Sequence, residues 1–419
     1  MRGTWSADPS RTHDLIQSVA EHSLVLVDRV KRRVLFPTEP GIAFSANTTY
    51  CRRDGTDMLQ ILSQEVASDT GGKFYKRTSK DNGRTWSTPS ILFEPEVTKG
   101  GILRWGENAF LLDDSNDALF LFYNYHIYPQ STFTGDVERF TRIFYVISRG
   151  ECGRFPPACQ LIQKGHDTLR WADGVTYGTN NAAISFCRPI KTSRGETILP
   201  IQSCPADSDF KNPFLIKWQA GCFIGDWDGD EVEWGLSEMV NIDPKLSSRG
   251  LCEPAITELG NGAMMMVCRG SNSTIPAVPG YKWYCVSKDA GHSWSSVSPF
   301  SYDDGSNFFS PATGSMIVRN SRNRKLYWFG NVVPQNPDGN RPRYPLQVAE
   351  VNEKDIALRK DSVMVIEDRR EEDSQLVQFS NFKVYEDRET GEFVLTMARF
   401  QERGEELTSP AYEYRIEVL

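Results

Sequence analysis

The chain has 419 residues and a formal net charge of −8, with 47 Lys and Arg against 55 Asp and Glu. An acidic chain is a poor partner for nucleic acid or for an anionic membrane surface, so we expect neither partner. The first residues lack the apolar core of a signal peptide, and no apolar run reaches the length of a membrane span. We therefore expect a cytoplasmic protein, or a secreted one if a leader has been removed.

Nine cysteines are scattered along the chain, and none of them forms a CxxC pair. This spacing argues against a zinc site, and we predict no metal and no cofactor. The number of cysteines is odd, and Cys187, Cys268 and Cys285 lie in apolar runs. We predict that the cysteines are reduced thiols buried in the core.

Short alternating or apolar runs, bounded by Gly, Asn, Asp and Pro, dominate the sequence, and this pattern indicates an all-β fold. After an N-terminal extension, residues 1–22, the first predicted strand is SLVLVDRV at 23–30. Six later units then share one pattern: a polar residue, a first apolar strand, a turn and a second apolar strand. They are residues 47–64, 107–126, 181–202, 253–269, 310–331 and 381–399.

The six units start 57 to 74 residues apart, which leaves room for about four strands in each. That is the repeat of a β-propeller blade. We predict one domain over residues 23–419, a six-bladed β-propeller of four-stranded blades. The last unit has room for only three strands, so we expect the strand at 23–30 to pair with 411–418 and close the ring.

Two nearly identical segments, SKDNGRTW at 79–86 and SKDAGHSW at 287–294, each lie between two predicted strands. The Asp carboxylate can accept backbone N–H groups within a tight turn, and Gly supplies a positive φ. Both segments resemble the Asp-box, S-x-D-x-G-x-[ST]-W. Together with the six-unit repeat, they resemble the sialidase (BNR-repeat) superfamily of six-bladed propellers, in which these boxes are structural turns on the outer hairpins of the blades.

In a propeller, the starts of the first strands and the ends of the second strands meet on one face around the central axis. The sequence places polar residues at these points, which predicts a polar pocket that favours anions. The starts are Asn47, Glu107, Asn181, Glu253, Ser310 and Asn381, and the ends are Gln64, His126, Gln202, Arg269, Asn331 and Arg399.

Some of these residues match sialidase motifs. Glu253-Pro-Ala followed by Arg269 resembles the element in which an arginine clamps a sugar carboxylate and a glutamate supports the nucleophile. Arg343 resembles a second clamping arginine. The resemblance therefore implies an acidic sugar ligand, which the paired N–H donors of arginine would bind.

Two positions depart from the sialidase pattern. Asn47 stands where sialidases have the arginine of an Arg-Ile-Pro motif, and the segment QFSNF at 378–382 has no tyrosine where they have their nucleophile. Glu107 and Glu253 could replace the missing groups, because two carboxyl groups across a sugar can divide the acid and nucleophile or base roles. We predict an exo-acting glycoside hydrolase that acts on a small acidic, uronate- or sialate-like, oligosaccharide.

Two alternatives remain open. His126 could abstract the C5 proton of a uronate, with Tyr123 or Tyr125 as proton donor, which is lyase chemistry. The chain could also be a glycan-binding propeller without catalytic activity. In each case Trp105, Tyr177 and Tyr344 are candidates for stacking on sugar rings. Further predicted substrate contacts are Asn47, Asn181, Asn381 and Arg399.

Overall fold

A computed structural model describes residues 29–128, 140–175, 182–205, 216–404 and 406–418. These residues form six small antiparallel sheets, as predicted, and together the sheets make a six-bladed β-propeller. We number the blades by the order of their innermost strands along the chain. Among the described residues, no helix is both long and apolar enough to cross a membrane.

The strands of blades 1 to 3 follow one another from the axis outwards. Blade 1 contains Ala43–Tyr50, Met58–Ala67, Thr70–Ser79 and Ser90–Phe93. Blade 2 contains Gly101–Asp113, Ala118–Tyr128, Phe140–Ser148 and Cys159–Gln160, with Glu96–Thr98 paired to Gly101–Asp113. Blade 3 contains Thr197–Ser203, Gln219–Asp228 and Glu231–Leu236, with an interrupted inner strand at Ala182–Ala183 and Ile190–Lys191.

Blades 4 to 6 complete the ring. Blade 4 contains Cys252–Glu258, Met264–Arg269, Lys282–Ser287 and Ser298–Pro299. Blade 5 contains Met316–Arg319, Leu326–Asn331 and Leu346–Asn352, and the last of these pairs with both Ala357–Leu358 and Met364–Glu367, which flank the 3-10 turn Lys360–Ser362. Blade 6 contains Lys383–Glu386, Phe393–Ala398, Ala411–Ile416 and the N-terminal strand Val30–Phe36.

An N-terminal strand closes the ring, as predicted, but it lies further along the chain than the predicted 23–30. Val30–Phe36 pairs antiparallel with Ala411–Ile416, and residues 23–28 lie outside the described residues. The prediction chose the continuous apolar run, whereas an outermost strand is half solvated and tolerates charge. Arg33 accordingly donates two hydrogen bonds, of 2.8 and 3.0 Å, to the Glu413 carboxylate of the neighbouring strand.

The core lies between neighbouring blades, so a middle strand is covered on both faces. Met264 to Cys268, in the second strand of blade 4, are all buried, which explains a run with no polar alternation. Aromatic side chains fill the larger gaps. Phe122 of blade 2, for example, packs edge-to-face on Trp234 of blade 3 at 5.8 Å between ring centres.

The two eight-residue segments form matching turns between the third and fourth strands of blades 1 and 4. The Asp81 carboxylate accepts hydrogen bonds from the Thr85 backbone N–H and from the hydroxyl groups of Ser79 and Thr85. Asp289 makes the same three contacts in the second turn. These hydrogen bonds lower the pKa of each carboxyl to about 2. The repeated segments therefore stabilise the blades and lie outside the pocket described below.

The prediction that the cysteines are all reduced is wrong for one pair. Cys51 and Cys152 form a disulfide that joins the turn after the first strand of blade 1 to a turn in blade 2. They are 101 residues apart, so nothing local in the sequence signals the pair. The other seven cysteines are free thiols, of which all but Cys159 are buried.

Candidate active site

Two inner strands bend where they carry an acidic residue. In blade 2 the strand register shifts between Trp105 and Asn108, and in blade 4 it shifts between Cys252 and Ala255. Glu107 and Glu253 occupy these two bulges, and Glu253 has a positive φ of 47°. A bulge turns a side chain out of the regular alternation, and strained backbone of this kind concentrates at functional sites.

Both bulges border one cavity of about 210 Å³ at the face where the first strands begin. Seven of the residues proposed for this face line it, namely Gln64, Trp105, Glu107, His126, Gln202, Glu253 and Asn381. The cavity is smaller than the roughly 300–1,000 Å³ sites that enclose drug-sized ligands. Its size suits a small ligand or one end of a larger one.

The Glu107 carboxylate is held on both oxygens. Lys383 Nζ, from the first strand of blade 6, donates to Oε1, and the Phe186 backbone N–H donates to Oε2 over 3.2 Å. Arg104, which lies three residues before Glu107 on the same strand, has another partner. Arg104 instead donates to the Gly71 carbonyl oxygen.

Glu253 keeps one oxygen available. Arg269 Nη1 donates to Oε1 over 2.5 Å, whereas Oε2 accepts no hydrogen bond from the described residues. The Glu253 backbone N–H donates to the Gln202 side chain over 3.1 Å, which fixes the bulge against blade 3. An oriented carboxylate with a free oxygen at a cavity wall is suited to act as a base or nucleophile.

Four cationic side chains lie near Glu253, although none of them is among the residues that line the cavity: Arg249, Arg269, Lys282 and Arg343. Burial, reinforced by Arg269, lowers the pKa of Arg343 to about 10. Burial is also the main cause that lowers the pKa of the fully buried Lys282 to about 7, and Arg269 and Arg343 lower it further. Glu253 and Asp69 are the carboxylates that act on the three arginines, so positive charge remains in excess and favours an additional anion.

One carboxyl pair at the cavity wall, Glu65 and Asp69, was not predicted from the sequence. Glu65 follows Gln64 at the end of the second strand of blade 1, and Asp69 lies in the next turn with a φ of 52°. Burial, together with the negative charge of Asp69, raises the pKa of Glu65 to about 8. A carboxyl group that is protonated at neutral pH can act as a general acid.

Arg249 and Lys282 were also missed. Arg249 precedes the Glu253 strand in a turn, where its carbonyl oxygen accepts from the Trp218 backbone N–H over 3.0 Å. Lys282 begins the third strand of blade 4 and donates to the Thr313 carbonyl oxygen. The spacing of the repeat could have pointed to Lys282, since it pairs directly with Arg269 on the neighbouring strand.

His126 lies at the cavity, but its predicted tyrosine partners do not. Its Nδ1 is 2.8 Å from the Thr141 hydroxyl, and its ring contacts Tyr128 edge-on at 5.8 Å between centres. Tyr123 and Tyr125 belong to the opposite face of the strand, where Tyr123 stacks on Trp105 and Tyr125 packs on Phe144. Successive residues of a strand point to opposite faces, so Tyr128 shares the face of His126.

Other proposed contacts lie away from the cavity. Asn47 donates to the Asn108 side chain over 2.9 Å, and Tyr344 packs beneath Arg369. Arg399 is fully buried and paired with Glu367, Asp373 and Glu402. Tyr177 and Asn181 lie outside the described residues.

Trp105 borders the cavity, but both faces of its ring are covered. Phe93 stacks on one side at 4.9 Å between ring centres, and Tyr123 stacks on the other at 4.0 Å. Only the edge of the ring is left for a ligand. Stacking on a sugar requires a free face, so packing is the role that this geometry supports.

Comparisons with known proteins find the fold but no close relative. No family model and no curated protein matches the sequence. Among solved structures, a protein of unknown function from Dyadobacter fermentans matches with a TM-score of 0.64 and 11% identity, over 93% of this chain and 99% of the other. The NanB sialidase of Streptococcus pneumoniae matches with a TM-score of 0.60 and 12% identity, over 91% of this chain and 69% of the other.

The intramolecular trans-sialidase of Ruminococcus gnavus, in complex with oseltamivir carboxylate, matches with a TM-score of 0.58. It is 10% identical, and the match covers 88% of this chain and 94% of that one. The chain therefore has the fold of sialidase propellers. At this identity the likeness concerns architecture and leaves the activity to be argued from the site.

Proposed function

We propose that this protein is an exo-acting glycoside hydrolase that removes a terminal acidic sugar, a uronate or a sialate, from a small oligosaccharide. One observation carries the proposal: the cavity brings carboxyl groups in unlike environments together beside a buried cluster of cations. Glu65 is protonated at neutral pH, whereas Glu253 is oriented by Arg269 and keeps one oxygen free. Such a difference between neighbouring carboxyl groups is how glycosidases divide acid and base roles.

The residues would take the following roles. Arg269 binds the carboxylate of the sugar. Arg343, whose guanidinium already donates to Gln378, Ser380 and two backbone carbonyl groups, adds positive charge together with Arg249 and Lys282. Glu65 protonates the leaving glycosidic oxygen. The free Oε2 of Glu253 attacks the anomeric carbon or activates a water molecule there. Glu107, whose oxygens are both occupied, stabilises the positive charge that develops on the sugar ring.

This assignment refines the sequence prediction. The carboxylates of Glu107 and Glu253 were expected to share the two catalytic roles, but the Glu107 oxygens already accept hydrogen bonds from Lys383 and Phe186. Glu65 supplies the proton donor in its place. A glutamate pair also removes the need for the tyrosine that is absent from 378–382.

Elimination is the second candidate, because His126 and Tyr128 lie in contact on the cavity wall. His126 would abstract the C5 proton of a uronate, and the Tyr128 hydroxyl, which donates to the Asp69 carbonyl oxygen over 3.1 Å, would protonate the leaving oxygen. The covered position of His126, which is 3% exposed, makes this the weaker candidate.

A panel of oligosaccharides capped with sialic acid, uronic acid or a neutral sugar, analysed by mass spectrometry, tests the proposal. Hydrolysis adds the mass of one water to the products, and we expect it for an acidic cap only. Products without added water, together with the ultraviolet absorbance of an unsaturated uronate, would identify a lyase. Binding of acidic glycans without turnover would identify a non-catalytic propeller, and cleavage of neutral caps alone would contradict the role of the cations.

A further inference from the structure

A second cavity, of about 450 Å³, runs along the propeller axis. The innermost strands of blades 1, 2, 3, 5 and 6 line it, and it reaches the face opposite the candidate active site, where Asp114 and Ser321 are exposed. Lys383 borders both cavities, and its ion pair with Glu107 lies between them. The axial cavity is therefore a separate space of a size that holds a small molecule.

The lining of this cavity carries more positive than negative charge. Four cationic side chains contribute to it, against two acidic ones. The cations are Arg188, Arg319, Lys383 and Arg388, and the acidic residues are Asp114 and Glu386. This excess is unusual for a chain whose net charge is −8, and it is placed where protein walls screen it less than water would.

Three of the four cations have partners in the protein. Arg319 forms a bidentate ion pair with Glu353, and Lys383 forms an ion pair with Glu107. Arg388 donates to the Arg52 carbonyl oxygen over 2.7 Å and lies over the ring of Tyr50. Their positions are thus explained by contacts within the fold.

Arg188 differs from them. No described residue forms a hydrogen bond or an ion pair with its guanidinium, which lies half-buried at the cavity wall. Burial lowers the pKa of Arg188, and the nearest opposing influence is the charge of Glu386. Glu386 is itself occupied, because its oxygens accept from the backbone N–H and the hydroxyl of Ser321. A half-buried arginine whose five donors are not used by the described residues is available to bind the oxygens of an anionic ligand.

We propose that the axial cavity is a second ligand site, in which Arg188 binds the carboxylate or phosphate group of a small anionic molecule. The planar guanidinium offers paired N–H donors that match both oxyanions. The charge of Arg319 and Arg388 adds to the attraction. Tyr50 and Tyr385 line the same cavity and can cover the remainder of the ligand. This inference does not depend on the proposed hydrolase activity.

Calorimetric titration with inorganic phosphate and, separately, with citrate tests the site on the full chain. We expect the wild-type protein to bind at least one of the two anions. The Arg188→Gln variant should bind it at least about tenfold more weakly, since a charge-assisted pair of hydrogen bonds is lost. Arg194→Gln is the matched control, because Arg194 is an exposed arginine on the same blade, and it should bind like the wild type.

Arg269→Ala distinguishes the two cavities. If it abolishes anion binding while Arg188→Gln does not, the anion occupies the candidate active site and the proposal is overturned. The proposal is also overturned if neither phosphate nor citrate binds to the wild-type protein. Should Arg188→Gln fail to fold, Arg188→Lys replaces it. Lysine keeps the positive charge but lacks the paired, coplanar N–H donors of the guanidinium, so we expect several-fold weaker binding. An unchanged affinity would contradict the assignment.

Discussion

The Glu253 carboxylate and the Arg269 guanidinium are joined by a hydrogen bond of 2.5 Å across the first two strands of blade 4. Neither side chain is more than 15% exposed. Because this bond occupies Oε1, it leaves Oε2 of Glu253, a residue of the cavity wall, without a partner among the described residues. The pair thereby links the cation cluster to the free carboxylate oxygen.

Glu253→Gln should lower kcat for an acidic substrate by about 10²–10⁴-fold, the range expected for loss of a group that transfers protons or attacks in the transition state. The melting temperature should also fall, because glutamine leaves Arg269 without its carboxylate partner, so kcat is measured at a temperature where the variant is folded. Glu372→Gln, an exposed glutamate, is the control. Arg269→Ala should instead raise KM for acidic substrates more than for neutral ones. An unchanged kcat in Glu253→Gln would remove this residue from the mechanism.

Glu65 should cause the alkaline limb of the pH–rate profile, which is the fall in kcat/KM at high pH. Its pKa is raised to about 8, so the proton needed by the leaving group is present below that pH and is lost above it. We expect kcat/KM to fall as the pH rises through about 8. Glu65→Gln should have a low rate with no such limb. If kcat/KM of Glu65→Gln falls at the same pH as that of the wild type, another group is responsible for the fall.

The same shift affects stability. The folded protein retains the Glu65 proton between its ordinary pKa of 4.5 and about 8, whereas the unfolded chain has released it. The contribution of this group to the free energy of unfolding therefore decreases as pH rises through that window and is constant above it. Urea unfolding of Glu65→Gln should lack this decrease.

Gly106 should tolerate no side chain. A β-carbon at this position would overlap the imidazole of His126 and crowd the side chain of Asn124. Because this glycine lies in the bulge that carries Glu107, Gly106→Ala should destabilise the protein by about 1–3 kcal/mol, as overpacking does, and should also lower activity. Gly235→Ala controls for the loss of a strand glycine, because a β-carbon there would meet only the Ile224 carbonyl oxygen at 3.7 Å. Equal effects in both variants would contradict the close contact.

The disulfide between Cys51 and Cys152 should contribute about 2–4 kcal/mol to the free energy of unfolding, because it closes a loop of 101 residues. Reductant should lower the unfolding free energy of the wild type by this amount and leave Cys152→Ser unaffected. Cys159→Ser, which removes an exposed free thiol, should respond like the wild type. A wild type that is insensitive to reductant would show that the bond does not form in solution.

The repeat was readable from the sequence because each blade must bury its own strands, and burial leaves a local signature. Runs such as Met264–Arg269 and the turns around Asp81 and Asp289 depend on neighbours within one hairpin. The same repeat predicted that Glu107, Glu253 and His126 would share a face, since position within a blade determines which residues reach the axis.

What the sequence alone determined is thus the six-bladed ring, its closure by an N-terminal strand and seven of the residues that line the cavity. Only the tertiary structure decided the pairing of Glu107 with Lys383, which are 276 residues apart, and the pKa of Glu65. It also placed Arg399 in a buried ion network and joined Cys51 to Cys152. These features arise between blades that are distant along the chain, and ionisation and pairing depend on what surrounds a group in space, which a local pattern does not encode.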